Sequence, residues 1–483
     1  MLLEGRYRAA INDNAKAVET YRDLFSKFPD SLAYGLSLAD AQRWVSPDDA
    51  LRTLETLRQL PPPAGNDARI DLLESRALMD KDKPKSEAAA QRAIQKGTAQ
   101  GSHHLVARAY GVLCQAQLLG SSANDAIHYC ETARQSYAAD GDHYNEARTT
   151  NDLAVAYYQL GDFASAESMF RQAGKVFHTV GDISAEGAIS NNLGDIYLDQ
   201  GNLIEAQTLL QNALTASKAV DDKAAAALVL NDLVELLRRE GELEAALTTF
   251  HKAQATAQEV ENKSALGYVL NGIGDVLIDR GDLAGAEKSY EGALVLRNSV
   301  GEKQSIAETQ VALARLAIEE GRLTEAEATL RKCKEQFHQE QQADDEIAAS
   351  TALIQVLLKE DSISQAKSVS DATAELASKS KNRYARLEFE LQNTQVQIYS
   401  NDFHSARETL ATLLKDARTH VLVGVELQTQ LAQAELELKA GQATAAREEL
   451  IGLERAAHSA GFGLIANRAS ALRAGQKKYS PPS

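Results

Sequence analysis

Asn191-Asn192-Leu193-Gly194-Asp195-Ile196-Tyr197-Leu198-Asp199-Gln200-Gly201-Asn202-Leu203-Ile204-Glu205-Ala206 carries the pattern that decides the fold. Leu193, Gly194 and Tyr197 fall on one face of a helix, Gly201 ends it, and Ala206, Leu210 and Ala213 share a face of a second helix. Forty residues earlier the same places hold Leu153, Ala154, Tyr157, Ala166, Phe170 and Ala173. Forty later they hold Leu233, Val234, Leu237, Ala246, Phe250 and Ala253, and then Ile273, Gly274, Leu277, Ala286, Tyr290 and Ala293. Small residues fit where two helices approach closely, and large ones fill the groove of the neighbour.

The period extends beyond these four units. Gly161, Gly201, Gly241, Gly281 and Gly321 lie 40 residues apart, Gly441 is in phase, and Asp361 and Asn401 fill the two skipped places. Aspartate and asparagine tolerate the left-handed turn that glycine favours. A second turn is marked by Gly141, Gly181 and Gly301, with Asp142, Asp182, Glu302, Asp222 and Asn262 as N-cap candidates for the next helix. The spacing resembles the tetratricopeptide repeat, lengthened from about 34 residues to 40. It implies an all-α fold, a right-handed superhelical solenoid of antiparallel helix pairs. Residues 1–100 read as divergent N-terminal repeats, 101–340 as regular units, 341–460 as divergent C-terminal units, 461–474 as a capping helix and 475–483 as a disordered tail. Leu60-Pro61-Pro62-Pro63-Ala64-Gly65 interrupts the helical pattern of the first part.

Composition agrees with helices: 44% of the 483 residues are hydrophobic, 5% are aromatic and 8 are proline. A net charge of −17 repels phosphate backbones, which argues against direct nucleic-acid binding. No window approaches 18 apolar residues, and Glu4, Arg6, Arg8, Asp13 and Lys16 exclude a secretory leader, so a cytoplasmic location and no membrane contact are expected. Cys114 takes a small-residue place, Cys130 a large one and Cys333 a closing alanine place, so all three read as buried hydrophobes rather than disulfide or zinc ligands. No nucleophile–base pair, metal cluster or phosphate loop is present, so neither catalysis nor a cofactor is expected.

Between residues 21 and 72 the wording becomes more specific: Tyr21-Arg22-Asp23-Leu24-Phe25, Phe28-Pro29-Asp30, Tyr34-Gly35-Leu36, Leu60-Pro61-Pro62-Pro63 and Arg69-Ile70-Asp71-Leu72. This resembles the tetratricopeptide sensor half of certain bacterial serine/threonine protein kinases and winged-helix transcriptional regulators, and the similarity extends through Gly461-Phe462-Gly463-Leu464-Ile465-Ala466. The resemblance implies signal transduction with a kinase or winged-helix effector subunit as partner. The sequence contains no kinase motif: Asp162-Phe163-Ala164 is the nearest imitation, and it sits in a repeat turn.

The repeat also acts as a ruler for candidate binding residues. Ten residues before each turn glycine stand Asn151, Asn191, Asn231 and Asn271, on the first-helix face opposite the core stripe. Asparagine is a poor helix former, and its amide can pair with both the N–H and the C=O of an extended peptide. Such a ladder resembles the asparagines by which kinesin light chain and its relatives hold peptide backbones. Asp195, Glu235 and Asp275, then Asp199 and Asp279, lie further along the same face, interrupted by Arg239 and Arg315, and suit a basic peptide. Tyr158, Leu198, Tyr268 and Ile278 are candidate pocket walls. The competing reading is that the asparagines bond to neighbouring helices and the acids only solvate the face. A different docking surface is offered by the first helix, where Leu2, Leu3, Tyr7 and Ile11 form an apolar face with no preceding helix to cover it.

Overall fold

A computed structural model of the chain describes residues 1–11, 13–79, 81–119, 122–260 and 262–477. Among them every regular element is a helix. The repeat length follows from the helices: Ile183–Asp199 and Leu203–Ala219 hold 17 residues each, and three-residue turns complete the unit. The residues beyond the usual repeat length therefore lengthen both helices. Gly201 and Gly241 turn with φ of 76° and 83°, and Asp361 and Asn401 adopt the same left-handed conformation at 59° and 61°. Asp221, Gln341 and Val421 do so at the second turn, so backbone geometry keeps the period where the sequence drops glycine. Asp182, Asp222 and Asn262 accept the N–H three residues on, whereas Glu302 makes no side-chain cap bond.

Each hairpin closes on the small and large places read from the sequence. A methyl group added to Gly194 would lie 2.8 Å from the Leu210 side chain, and one at Gly274 would overlap the Tyr290 ring. Both pairs are separated by 16 residues. Cys114 and Cys130 share that separation and occupy the corresponding places, and they are joined by a disulfide with Cα atoms 5.0 Å apart. This corrects the expectation of free, inert thiols: two cysteines placed at facing positions of one hairpin meet. Cys333 is free and buried, and burial pushes its thiol up to about 11.

The chain forms two compact units, Met1–Tyr157 and Tyr158–Ser483. In the first, the helix Pro47–Arg58 stops before the proline run, and a 3-10 turn at Ala64–Asn66 leads into the next helix. Leu2 packs on Ala17, Val18 and Tyr21, while Leu3, Tyr7 and Ile11 remain exposed. The apolar face expected at the first helix is therefore partly covered by the helices that follow it.

The second unit curls until its own turns meet its later helices. The backbone at Gly201, Gly241 and Gly281 lies against Arg383, Val423 and Gly463, in each case 182 residues further on. Arg383 Nε donates to the Gln200 carbonyl at 2.9 Å, and its guanidinium also holds Asp416 at 2.8 Å. Leu198, Leu210 and Leu236 share one apolar cluster with Leu391, Leu410 and Leu436, and Val234 and Phe250 share another with Leu431 and Phe462. The last helix, Gly463–Lys477, runs through residues 475–477 of the expected tail. Residues 478–483 of the expected tail lie outside the described residues.

Candidate binding cavity

Curling the solenoid turns one face of each first helix inward. In the second unit a cavity of about 320 Å3 is lined by Asp195, Leu198 and Asp199 from Ile183–Asp199, and by Asn231, Asp232 and Glu235 from Lys223–Arg239. Tyr268, Asn271 and Asp275 from Lys263–Arg280 and Glu308 from Lys303–Glu319 complete the wall, with Tyr158 at one end and Phe250 and Arg297 behind. The repeat period brings these residues together, because helices one unit apart present the same phase to the same side.

The charges in this space are unevenly balanced. Glu235 is clamped by two arginines: Arg238 donates to it at 2.7 and 2.9 Å, and Arg239 donates at 2.7 Å. The guanidiniums hold its carboxyl down to about 2 against burial. Arg238 reaches Asp279 at 2.9 Å, while Arg239 approaches Asp199 at 3.5 Å and donates to the Leu198 carbonyl at 2.6 Å. The two arginines read from sequence position as interruptions of an acidic line divide in role. Arg239 is the counter-ion of that line, whereas Arg315 faces Glu388 at 3.4 Å.

Among the described residues Asp195 and Asp232 form no ion pair, and Arg239 acts on Asp195 only from a distance. Asp195 receives only a long bond from the Asn191 amide, at 3.4 Å, and burial together with Asp232 and Asp199 lifts its carboxyl well above the usual range. Burial raises Asp232 to about 6, in spite of the amides of Asn191 and Asn231. Burial also raises Asp199 and Asp275, whose oxygens accept from the Tyr158 hydroxyl at 2.8 Å and the Tyr290 hydroxyl at 2.7 Å.

The side-chain carbonyl oxygens of Asn191, Asn231 and Asn271 are buried and lack a hydrogen-bond partner. Their NH2 groups make only long bonds, to Asp195 at 3.4 Å, Asp232 at 3.5 Å and Asp275 at 3.4 Å. In either amide orientation, each leaves one end of the group without a short protein bond. Asn151 belongs to the first unit, where its amide lies 3.4 Å from Asp152. Leu198 is 5% exposed and belongs to the core, so it is a floor rather than an open pocket wall. Tyr268 donates to or accepts from Ser305 at 2.9 Å and lies under the Arg297 guanidinium. Ile278 lines a neighbouring depression with Asp279 and Arg315. Asp232 and Glu308 were missed in the sequence because they stand one place beside the asparagine line and one unit beyond it.

Among the described residues no three His, Cys, Asp or Glu side chains gather as a metal site, and no helix is long and apolar enough to cross a membrane.

The profile of the MalT-like TPR region matches residues 154–463, well over half of the chain. The chain belongs to the MalT-like TPR family. A tetratricopeptide-repeat profile also matches residues 105–176. This MalT-like TPR chain finds no match among curated proteins. In fold it is similar to a Rap protein complexed with competence and sporulation factor, at 15% identity and a TM-score of 0.56, over 72% of this chain and 98% of that one. More distant in shape are the apo quorum sensor NprR from B. thuringiensis, 15% identical with a TM-score of 0.48 over 69% of this chain and 96% of that one, and a signal transduction ATPase with a tetratricopeptide sensor from Pyrococcus horikoshii, 14% identical with a TM-score of 0.44 over 77% and 56%.

The raised carboxyls predict a pH dependence for the ligand-free MalT-like TPR chain. A folded Asp232 at about 6, against an ordinary value of 3.8, retains a proton that the unfolded chain has released. Its stabilising contribution is therefore complete below 3.8 and is lost as pH rises through about 6. Glu235 acts oppositely, but its contribution fades only as pH falls below 4.5. The melting temperature is expected to rise between pH 7 and pH 5. An Asp195→Asn/Asp232→Asn variant should show a flatter profile over the same window.

Proposed function

We propose that the second unit is a non-enzymatic receptor for a basic protein segment laid along the inward faces of its first helices. The observation that carries this reading is the row of Asn191, Asn231 and Asn271. Each buries a carbonyl oxygen without a partner, 40 residues from the next, beside Asp195 and Asp232, which form no ion pair. A buried polar group without a partner costs about 1–3 kcal/mol, so the folded chain keeps three acceptors that an incoming backbone N–H would satisfy. Unpaired carboxylates beside them favour lysine or arginine on the same segment.

That one fold neighbour was solved complexed with competence and sporulation factor is compatible with capture in the curled solenoid. The resemblance in residues 21–72 suggests that the captured segment belongs to bacterial signalling, with a kinase or winged-helix protein as the effector served.

Capture of partner from the source lysate by an Asn191→Ala/Asn231→Ala variant tests this. Loss of capture is expected together with unchanged helicity and a melting temperature equal to or slightly above wild type, because alanine removes two unsatisfied groups and is the better helix former by several tenths of a kcal/mol per site. Retained capture, with a drop in melting temperature, would assign the asparagines to the scaffold.

A further inference from the structure

The inward phase of the repeat changes its chemistry along the second unit. Five units beyond Asn191, Asn231 and Asn271 the same places hold Leu391, Leu431 and Ala471, and the place of Asp195 holds Gln395. These later residues line a second cavity, of about 480 Å3, which shares no residue with the cavity of Asp195 and Asp232. Its walls come from five successive first helices, from Lys303–Glu319 to Gly463–Lys477. Leu358, Leu391 and Leu431 are buried and give it an apolar floor, and Ala471 and Leu472 line it from the last helix.

The charges of this second cavity balance. Glu319 meets Arg468 at 2.5 Å and Lys359 at 3.6 Å. Against burial, these two cations hold its carboxyl below the ordinary range. The other acid, Glu435, accepts from the Gln395 amide at 2.7 Å. Burial raises its carboxyl, while Gln395 and the more distant Arg468, Lys439 and Lys359 act in the opposite direction. Two acids thus face two lining cations, and a charged ligand finds no spare countercharge to repay its desolvation.

What the cavity offers instead is amides. Among the described residues Gln392 and Gln428 make no hydrogen bond to the protein, and Gln355 engages only its NH2 group, on Glu319 at 3.2 Å. Gln392 and Gln428 are half-buried, and each presents a donor and an acceptor beside the leucine floor. A pure hydrocarbon would strip water from these groups without replacing it. A saccharide would set hydroxyls against the leucines, and the one aromatic ring of the lining, Tyr399, already has the Lys439 ammonium over it at 3.9 Å.

We propose that this second cavity binds a small uncharged molecule that joins an aliphatic body to an amide. The aliphatic part covers the leucine floor, and the amide pairs its N–H and C=O with Gln392 and Gln428. Amide and glutamine side chain match donor to acceptor and acceptor to donor. The volume falls within the range of about 300–1,000 Å3 usual for small-molecule sites. The site is separate from the proposed groove for a basic segment, and neither reading depends on the other.

Ligand-observed NMR titration of the full chain tests the site with three probes: N-acetyl-leucinamide, free leucine and the trisaccharide raffinose. The first carries an aliphatic body and two amides without charge. Leucine keeps the body but is a zwitterion, and raffinose is uncharged but has no aliphatic body. N-acetyl-leucinamide is expected to bind at least about tenfold more tightly than either of the others. A Gln392→Ala/Gln428→Ala variant should weaken it at least about tenfold with an unchanged melting temperature, since neither amide bonds to the protein. Ala471→Phe, at an exposed place on the last helix, should fill the cavity and abolish binding while the chain stays folded. Glu375→Gln, at an exposed residue paired with Lys379, should change neither binding nor melting. Equal binding of leucine or raffinose would overturn the assignment to an uncharged amide. The site itself is overturned if N-acetyl-leucinamide does not bind, or if it binds the two cavity variants as tightly as the wild type.

Discussion

Gly463→Ala is expected to be among the most damaging single-atom-group additions to this chain, lowering stability by about 2–4 kcal/mol, in the range of severe overpacking. The glycine starts the last helix, Gly463–Lys477, where the backbone passes against the helix Lys263–Arg280. A methyl group there would overlap the Arg280 carbonyl oxygen, and a backbone atom cannot rotate away as a side chain does. Relief requires the last helix to move outward, withdrawing Phe462 and Ile465 from their cluster with Phe250 and Val276. Gly452 provides the control. It is also helical, but a methyl group there meets nothing within 4 Å, so Gly452→Ala should stabilise by about 0.5–1 kcal/mol. Chemical denaturation of both variants reads the contrast. Equal effects would show that contact between the later helices and the early turns is not what holds the curl.

The second large effect is on binding. Neutralising Asp195 and Asp232 to asparagine should weaken a Lys- or Arg-containing peptide by about a hundredfold, taking about 1.4 kcal/mol for each charge-assisted contact. The same change should stabilise the free protein, because burial and mutual repulsion hold both carboxyls above their ordinary range. Opposite signs for affinity and stability are characteristic of groups kept for a ligand. Parallel losses would instead mark Asp195 and Asp232 as parts of the scaffold, as Glu235 is through Arg238 and Arg239. Isothermal titration with the wild type and the variant, alongside thermal melts, separates the two outcomes.

Much of this was legible in the sequence because a repeat writes its geometry as spacing. The glycine at every fortieth residue marks a left-handed turn, and even Asp361 and Asn401 keep it. Asn231, Asn271, Asp195, Asp199, Glu235 and Asp275 line the cavity because equal phase on successive helices means the same side of the second unit, whereas Asn191 lines an adjoining depression with Asn192 and Leu228. The disulfide was also within reach. Cys114 and Cys130 stood at small and large places 16 residues apart, the separation of Gly194 from Leu210, and only their chemistry was misjudged.

What could not be read is the closure. Arg383, Val423 and Gly463 share no residue type: the bare backbone of Gly201, Gly241 and Gly281 is met by an arginine side chain, a valine side chain and backbone in turn. From sequence position nothing singles out Arg238, and Arg239 reads only as an interruption of the acidic line. The curl brings Tyr384 to within 5.6 and 4.7 Å of their guanidiniums and turns them into buried partners of Glu235. Asp232 escaped for another reason: its phase holds Asp152, Asn192 and Gly272 in neighbouring units, so no single residue type announced it.

The central claim, that a basic segment lies along the inward first helices of the second unit, is tested most directly by amide hydrogen exchange. The measurement compares the free chain with its complex with the tightest peptide selected from a random library. The account predicts that the selected peptide is rich in lysine or arginine, and that protection concentrates in Ile183–Asp199, Lys223–Arg239 and Lys263–Arg280. Protection confined to the second helices Leu203–Ala219 and Leu243–Glu259, or a selected peptide without basic residues, would contradict it.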